Sequence, residues 1–349
     1  MAKKQLHVAI FGGAGFIGSN AAAHCLRGGR RVAIFDDLSR RGAQRNLEWL
    51  RTLGEVDFTQ ADIRSADAVA GFFAERAPFD LALHLAGQTA VTRSVENPRE
   101  DFEINALGTL NVLEALRALA HPPPLIYAST NKVYGAQESQ QLREEATRWE
   151  FLDLPAGVSE SFPLDLHSPY GCSRGAGDQY VRDYARIYGL PTVVFRQSCI
   201  YGPRQFGVED QGWVAWFAIA ALLGRRITLY GDGKTVRDLL FVDDLVEAFE
   251  RARRRIKAVS GEIFNIGGGP RRRVSLLETI ALLERRLGRK IETFFAPARP
   301  GDQKVYYTDI GKARALLDWE PKVGVNEGIG RLLDWLRQNE EAVRAALAP

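Results

Sequence analysis

The chain has 349 residues, enough to bury a large core, and 46 basic against 43 acidic residues leave a formal net charge of +3. So near a balance points to neither a nucleic-acid nor a membrane partner, and no stretch reaches the ~20 apolar residues of a membrane helix. Cys25, Cys172 and Cys199 have no metal-ligand spacing and the 5 histidines are scattered, so no metal is expected and a reducing cytoplasm suits the chain.

Residues Met1 to Lys4 run straight into an apolar stretch with no separate signal segment. Short apolar runs, fit for buried strands, then recur near 6–11, 31–35, 56–59, 80–85, 124–128 and 191–196. Helical patterns near 16–28, 42–53, 65–76, 98–120 and 168–188 separate them. Such alternation predicts an α/β fold, a doubly wound parallel sheet covered on both faces, with Ile263 to Ile266 as a seventh strand. Beyond 202 the pattern is mixed: a helix near Trp213 to Leu223, a strand at Ile227 to Tyr230, an irregular stretch Pro297 to Asp302, and helices near 309–317 and 325–338. Residues 336–349 read as a charged terminal helix. The expected division is a Rossmann domain over 1–202, with 236–268 returning to it, and a smaller mixed α/β substrate lobe over 203–235 and 269–349. The runs Arg251 to Arg255 and Arg271 to Arg273 read as solvated surface.

The first strand leads into Gly12-Gly13-Ala14-Gly15-Phe16-Ile17-Gly18 and a helix, and the second ends at Asp36-Asp37, about twenty residues on. Gly12 turns the chain, Gly15 admits a pyrophosphate, and Gly18 seats the helix on the sheet; the helix N-terminus, with Phe16 and Ile17, offers free N–H groups and a favourable dipole. Asp36 accepts ribose hydroxyls and would repel a 2′-phosphate, so NAD is favoured over NADP, although Arg40 and Arg41 lie nearby. A ligand on such a sheet lies beyond the carboxyl ends of the strands, and polar clusters stand there in succession: Asp62-Ile63, Leu85-Ala86-Gly87-Gln88, Ser129-Thr130-Asn131-Lys132 and Gln197-Ser198-Cys199.

Ser168-Pro169-Tyr170 opens a helix, with Ser168 as its cap and proline at its first position. Tyr170 and Arg174, four apart, share a face. Bringing a tyrosine from a pKa of about 10 to about 7 takes roughly 4 kcal/mol of phenolate stabilisation, which a fixed cation supplies in part. With Thr130 able to hold the same substrate hydroxyl, the set describes an alcohol-oxidising site beside a hydride acceptor.

These motifs, with His84-Leu85-Ala86, Asn105, Val133-Tyr134-Gly135, Tyr201-Gly202-Pro203-Arg204, Arg237-Asp238 and Asp243-Asp244, resemble the extended short-chain dehydrogenases/reductases of the nucleotide-sugar epimerase and dehydratase group. Thr130 to Gly135, His167 to Ser173, Arg204-Gln205-Phe206 and Asp210 to Trp213 are similar, more narrowly, to the CDP-tyvelose (CDP-paratose) 2-epimerases. The resemblance implies Thr130, Tyr170 and Arg174 as catalytic residues. It implies an NAD site that adds Asp37, Ser39, Arg40, Asp62, Ile63, Leu85, Ala86, Gln88, Asn105 and Ser129. For the substrate it implies Gln88, Thr130, Asn131, Gln197, Gln205 and Gln211 near the sugar, and Arg237, Arg299 and Asp302 near the diphosphate. One departure stands out: the family pattern has lysine where this chain has Arg174, whose larger planar head does not replace an ammonium atom for atom.

Dehydratases and decarboxylating relatives carry carboxylates where Asn131 and Lys132 stand, so both reactions are disfavoured. The expected activity is a 2-epimerase that oxidises C2 and returns hydride to the other face, with a CDP-hexose favoured as substrate. A second route, oxidation at a neighbouring carbon and deprotonation of C2, needs a further acid/base such as Cys199. Two other readings are open: a UDP-sugar 4-epimerase, and an NAD-binding protein impaired in catalysis by Arg174. A homodimer or dimer-based tetramer is expected through helices 98–120 and 168–188, with Tyr180, Tyr184 and Ile187 as the apolar stripe of the second.

Overall fold

The computed structural model describes residues 5–299 and 302–347. Met1 to Lys4 lie outside the described residues, as do Pro300 and Gly301 of the irregular stretch and Ala348 and Pro349 of the terminal one.

Seven strands form one parallel sheet: β1 (His7–Phe11), β2 (Arg31–Asp36), β3 (Val56–Gln60), β4 (Leu81–His84), β5 (Leu125–Thr130), β6 (Thr192–Gln197) and β7 (Ile263–Ile266). Their spatial order is β7-β6-β5-β4-β1-β2-β3. The strands from which the order runs outward, β1 and β4, are buried along their whole length, which is why they read as unbroken apolar runs. Ala9 of β1 lies opposite Ala33 of β2 on one side and Ala82 of β4 on the other. Above this sheet Phe11 meets Phe35 and Phe72 at ring-centroid distances of 5.1 and 5.2 Å.

The chain divides into two compact units. The first takes the chain up to Thr130, then Ser168–Arg196 and Val246–Phe264; the second takes Asn131–His167, Gln197–Leu245 and the chain from Asn265 onward. This boundary differs from the expected one at residue 202, because 131–167 and the strand Val236–Phe241 find their partners in the second unit. The strand Val236–Phe241 pairs with Cys199–Tyr201, Arg273–Ser275 and Val305–Tyr306. A hairpin, Leu142–Glu144 with Trp149–Phe151, belongs to a buried cluster that contains Tyr134, Tyr306 and Tyr307. The remaining core of this unit packs the helices Trp213–Leu222, Leu276–Leu287 and Val325–Gln338 around Phe217, Leu283, Leu332 and Leu336.

Two helical expectations change in detail. The segment read as one helix over 98–120 is three: Pro98–Phe102, a π-helical turn Glu103–Leu107, and Gly108–Arg117. The terminal segment breaks at Asn339 before a separate helix, Glu340–Ala346. The arginine run of the Val242–Val259 helix is surface, as expected, with Arg251 paired to Glu247 at 2.7 Å. Among the described residues no helix is long and apolar enough to cross a membrane.

Candidate active site

The glycine turn sits where the strand order reverses, between β1 and β4. Gly12 has φ +77°, and a Cβ there would lie 2.7 Å from the Ala86 nitrogen, so the turn after β1 presses on the one after β4. A Cβ on Gly18 would lie 2.0 Å from the Gly12 oxygen, which brings the Phe16–Arg27 helix hard against the turn. On Gly15, by contrast, a Cβ would meet only the Gly12 oxygen, at 3.2 Å. Its outer side faces open space, and no side chain caps the helix that begins after it. This is a cradle of free N–H groups ready for an anion.

Asp36 Oδ2 accepts the Ala14 N–H at 2.9 Å and Oδ1 accepts the Leu38 N–H at 2.8 Å. Burial raises its pKa, and those two N–H groups oppose the rise. A carboxylate has further lone pairs beyond these bonds, so it can still accept from ribose hydroxyls, and the site fits NAD. Asp37 closes a local turn by accepting the Ser39 N–H at 2.9 Å. Arg40 Nη2 donates to Thr89 Oγ1 at 3.1 Å. Asp62 is paired with Arg64 at 2.6 Å, which holds its carboxyl below the usual range. Ile63 is buried beside it, and its carbonyl accepts from Asn111 at 3.0 Å.

Beyond β4 the expected readers are committed to one another. Gln88 Nε2 donates to the Ala90 carbonyl at 2.8 Å and to Asp101 Oδ1 at 2.9 Å, while its Oε1 accepts the Ala90 N–H at 2.5 Å. Both of its amide hydrogens are thereby used inside the unit. Asn105, fully buried in the π-helical turn, accepts the Gln88 N–H at 2.9 Å and donates to Asp101 at 3.0 Å and to Ser173 at 3.1 Å. It acts as a buttress, with both amide hydrogens used inside the unit. The Ser129 hydroxyl donates to Asp178 at 2.8 Å.

Thr130 ends β5, and Tyr170 lies in the first turn of the Ser168–Tyr188 helix, which packs on that strand. Ser168 is the expected cap, its Oγ accepting the Gly171 N–H at 3.2 Å. The Tyr170 N–H donates to Ser94 Oγ at 3.1 Å, which fixes the start of the helix. Gly177 permits the close packing: a Cβ there would lie 2.5 Å from Tyr127 Oη. Arg174, 4% exposed, lies with its guanidinium carbon 5.0 Å from the Tyr127 ring centroid. Its Nη1 would be 2.6 Å from a Cβ on Gly87, so it occupies the space that glycine leaves after β4. Among the described residues no carboxylate stands within ion-pair distance of it, and its Nε has no hydrogen-bond partner. Arg174 thus places a buried guanidinium one helical turn from Tyr170.

In the second unit, Arg237 Nη2 pairs with Asp302 Oδ1 at 2.8 Å, and Lys132 Nζ approaches the same oxygen at 3.4 Å. Burial pushes the Asp302 carboxyl up, but Arg237 and Lys132 outweigh it and hold the pKa below its usual range. Arg299 pairs with Asp210 at 2.9 Å and stacks 3.8 Å from the Tyr230 centroid. Asn131 donates to Gln303 at 3.3 Å. Two expected sugar readers carry buried polar atoms with no partner, Gln197 Nε2 and Gln205 Oε1, which leaves each free for a ligand group. Gln211 sits in a tight turn with Val208, N–H to carbonyl at 3.0 Å.

Cys199 receives the Trp213 indole N–H at 3.4 Å, and burial pushes its thiol pKa up, so it is held neutral. Sequence reasoning passed over Gln303. Lys132 stood only in the polar cluster after β5 and as a missing glutamate, whereas here burial and Arg237 lower its pKa beside Asp302.

Comparison with known proteins agrees with this arrangement. Residues 8–267 match the NAD dependent epimerase/dehydratase family. The CDP-paratose 2-epimerase of Salmonella typhi is 46% identical over 331 residues, covering 93% of this chain and 98% of that protein. The UDP-glucose 4-epimerase of Mycolicibacterium smegmatis is 34% identical, covering 95% and 99%. Among solved structures, the Thermus thermophilus UDP-glucose 4-epimerase in complex with NAD superposes with a TM-score of 0.79 at 34% identity, over 95% of this chain and 99% of that one. With the phosphate cradle, the ribose carboxylate and the tyrosine helix all in place, the chain belongs to the NAD-dependent epimerase/dehydratase family.

Proposed function

We propose that this enzyme is a nucleotide-sugar 2-epimerase that retains NAD and acts on a CDP-linked hexose of the paratose/tyvelose type, with gluco and manno sugars within reach. The observation that carries the reading is the 46% identity, across nearly the full length of both chains, to the CDP-paratose 2-epimerase of Salmonella typhi. Asn131 and Lys132 support it, since neither is the carboxylate that the resembling dehydratases carry at these positions.

Bound NAD supplies a hydride acceptor that can return the hydride to either face of a ketone. Tyr170 takes the proton from the sugar 2-hydroxyl and gives it back to the same oxygen after inversion, while Thr130 holds that oxygen. Arg174 favours the phenolate form of Tyr170 between these transfers. Asp36 selects the 2′-hydroxyl cofactor. Arg237 and Arg299 exchange Asp302 and Asp210 for the substrate diphosphate, and Gln197 and Gln205 read sugar hydroxyls with their unpartnered atoms.

The free cysteines Cys25, Cys172 and Cys199 suit a cytoplasmic setting. A dimer is supported by apolar side chains left exposed on the two expected helical segments: Phe102 at 56%, Tyr180 at 51% and Ile187 at 66%. Tyr184 drops out of the expected stripe, because it is buried and its hydroxyl donates to Glu114.

The test is incubation with CDP-, GDP- and UDP-hexoses and a CDP-3,6-dideoxyhexose in deuterated water, followed by proton NMR. Inversion at C2 without deuterium there is expected. Deuterium at C2 would move oxidation to a neighbouring carbon. Inversion at C4 would favour the second reading, a UDP-sugar 4-epimerase, for which the 34% identical relative from Mycolicibacterium smegmatis speaks.

A further inference from the structure

We infer that Asp178 is a positioning residue for catalysis, clamping the strand that ends in Thr130 to the helix that carries Tyr170. Tyr170, Arg174 and Asp178 stand at successive intervals of four on one helix, so they form a single stripe along the face turned to the sheet. Asp178 is fully buried. Its Oδ2 accepts the Ser129 hydroxyl at 2.8 Å and Arg196 Nε at 2.8 Å, and its Oδ1 accepts Arg196 Nη2 at 2.8 Å. Ser129 is the residue before Thr130 in β5, and Arg196 is the penultimate residue of β6, the next strand in the sheet. One carboxylate therefore ties the carboxyl ends of two adjacent strands to the tyrosine helix, on the edge where the chemistry occurs.

A fourth bond, from Gln179 Nε2 to Oδ1 at 2.7 Å, stays within the helix, and the three bonds to the strands divide the work. The bidentate guanidinium pair fixes the carboxylate plane and neutralises it, which leaves Oδ2 aimed at Ser129. The Ser129 link then sets how far β5 slides or tilts against the helix, and with it the separation of the Thr130 hydroxyl from the Tyr170 phenol. Catalytic constellations tolerate only about 0.5 Å of such slack. The clamp is thereby assigned a positioning role, acting through Thr130 and Tyr170.

This inference rests on the proposed proton transfer by Tyr170 and Thr130, and its test separates the two. Ser129→Ala keeps the buried ion pair and deletes only the link to β5, so the variant folds; Ser129→Thr keeps a hydroxyl and serves as rescue. Turnover is measured on whichever nucleotide-hexose the unmodified protein converts, with NAD content, KM and the crystal structure of each variant. For Ser129→Ala, kcat is expected to fall about 10- to 100-fold, as misplacement by an ångström does, with KM and NAD content within about twofold of the unmodified protein. The Thr130 Oγ1 to Tyr170 Oη separation should widen, and Ser129→Thr should restore both. An unchanged kcat and separation would overturn the inference, and so would failure of Ser129→Thr to rescue. Equal loss of NAD would overturn it too, by making Ser129 a cofactor contact. If the unmodified protein converts no nucleotide-hexose, the functional reading fails, and the two crystal structures alone decide the clamp.

Discussion

The guanidinium of Arg174 lies over the ring of Tyr127, 5.0 Å from its centroid, in a space that exists because residue 87 is glycine. The larger head that departs from the family lysine is thus accommodated by an aromatic face and a missing Cβ.

Adding the Cβ should expose that dependence. In Gly87→Ala the new carbon would stand 2.6 Å from Arg174 Nη1 and 2.9 Å from Asn105 Oδ1, so both must give way. A loss of about 1–3 kcal/mol in urea unfolding is expected from the overpacking. Turnover should fall further than stability explains, because the cation is displaced from the tyrosine face.

Arg174→Lys tests the cation itself. If the guanidinium activates Tyr170 less well than an ammonium, the variant should bind NAD normally and move the basic pKa of the kcat profile downward, with faster turnover near neutral pH. A profile and rate identical to those of the unmodified enzyme would remove that idea, whereas Arg174→Ala should cost on the order of 100-fold in kcat.

His84 links stability to pH. It is fully buried, its Nε2 lies 2.9 Å from Thr109 Oγ1, and burial, reinforced by Arg174, lowers its pKa to about 3. The unfolded chain, with a histidine pKa of about 6.5, binds the proton first, so the stabilisation is complete above that pH and is lost as pH falls toward the folded value. Between pH 7 and pH 5 the enzyme should lose about 2 kcal/mol through this group. His84→Gln should abolish that part of the pH dependence in parallel urea titrations.

Arg237 and Arg299 should differ in weight. Arg237 is 8% exposed at its side chain and Arg299 is 25% exposed. Charge-assisted bonds strengthen with burial, so Arg237→Ala should weaken CDP binding by about 1.5–3 kcal/mol in calorimetry, and Arg299→Ala by less, with a stronger salt dependence.

The exposed apolar side chains make the proposed dimer testable by sedimentation. Ile187→Asp combined with Tyr180→Asp should shift the protein to monomers and leave the far-ultraviolet spectrum intact, since both side chains are at least half exposed.

Much of this enzyme is a local property of its sequence. An unbroken apolar run such as Val8 to Phe11 can only be a strand covered on both faces, and the spacing of Gly12, Gly15, Gly18 and Asp36 is dictated by backbone sterics and a dinucleotide's dimensions. Fold and cofactor were therefore legible, and with them the strand and the helix that carry Thr130 and Tyr170. What tertiary structure alone decided is where each polar side chain directs its bonds. Gln88, Asn105 and Ser129 look like ligand readers in sequence because they follow strands at the correct edge. Burial beside Asp101 and Asp178 engages their donors within the scaffold, because buried donors are rarely left unpaired. Gln303 emerges from a position that local pattern does not mark, and the partner of Lys132, Asp302, lies 170 residues away in sequence. Periodicity reports which face of an element is covered, and the long-range neighbours that cover it determine which hydrogen bonds remain for a ligand.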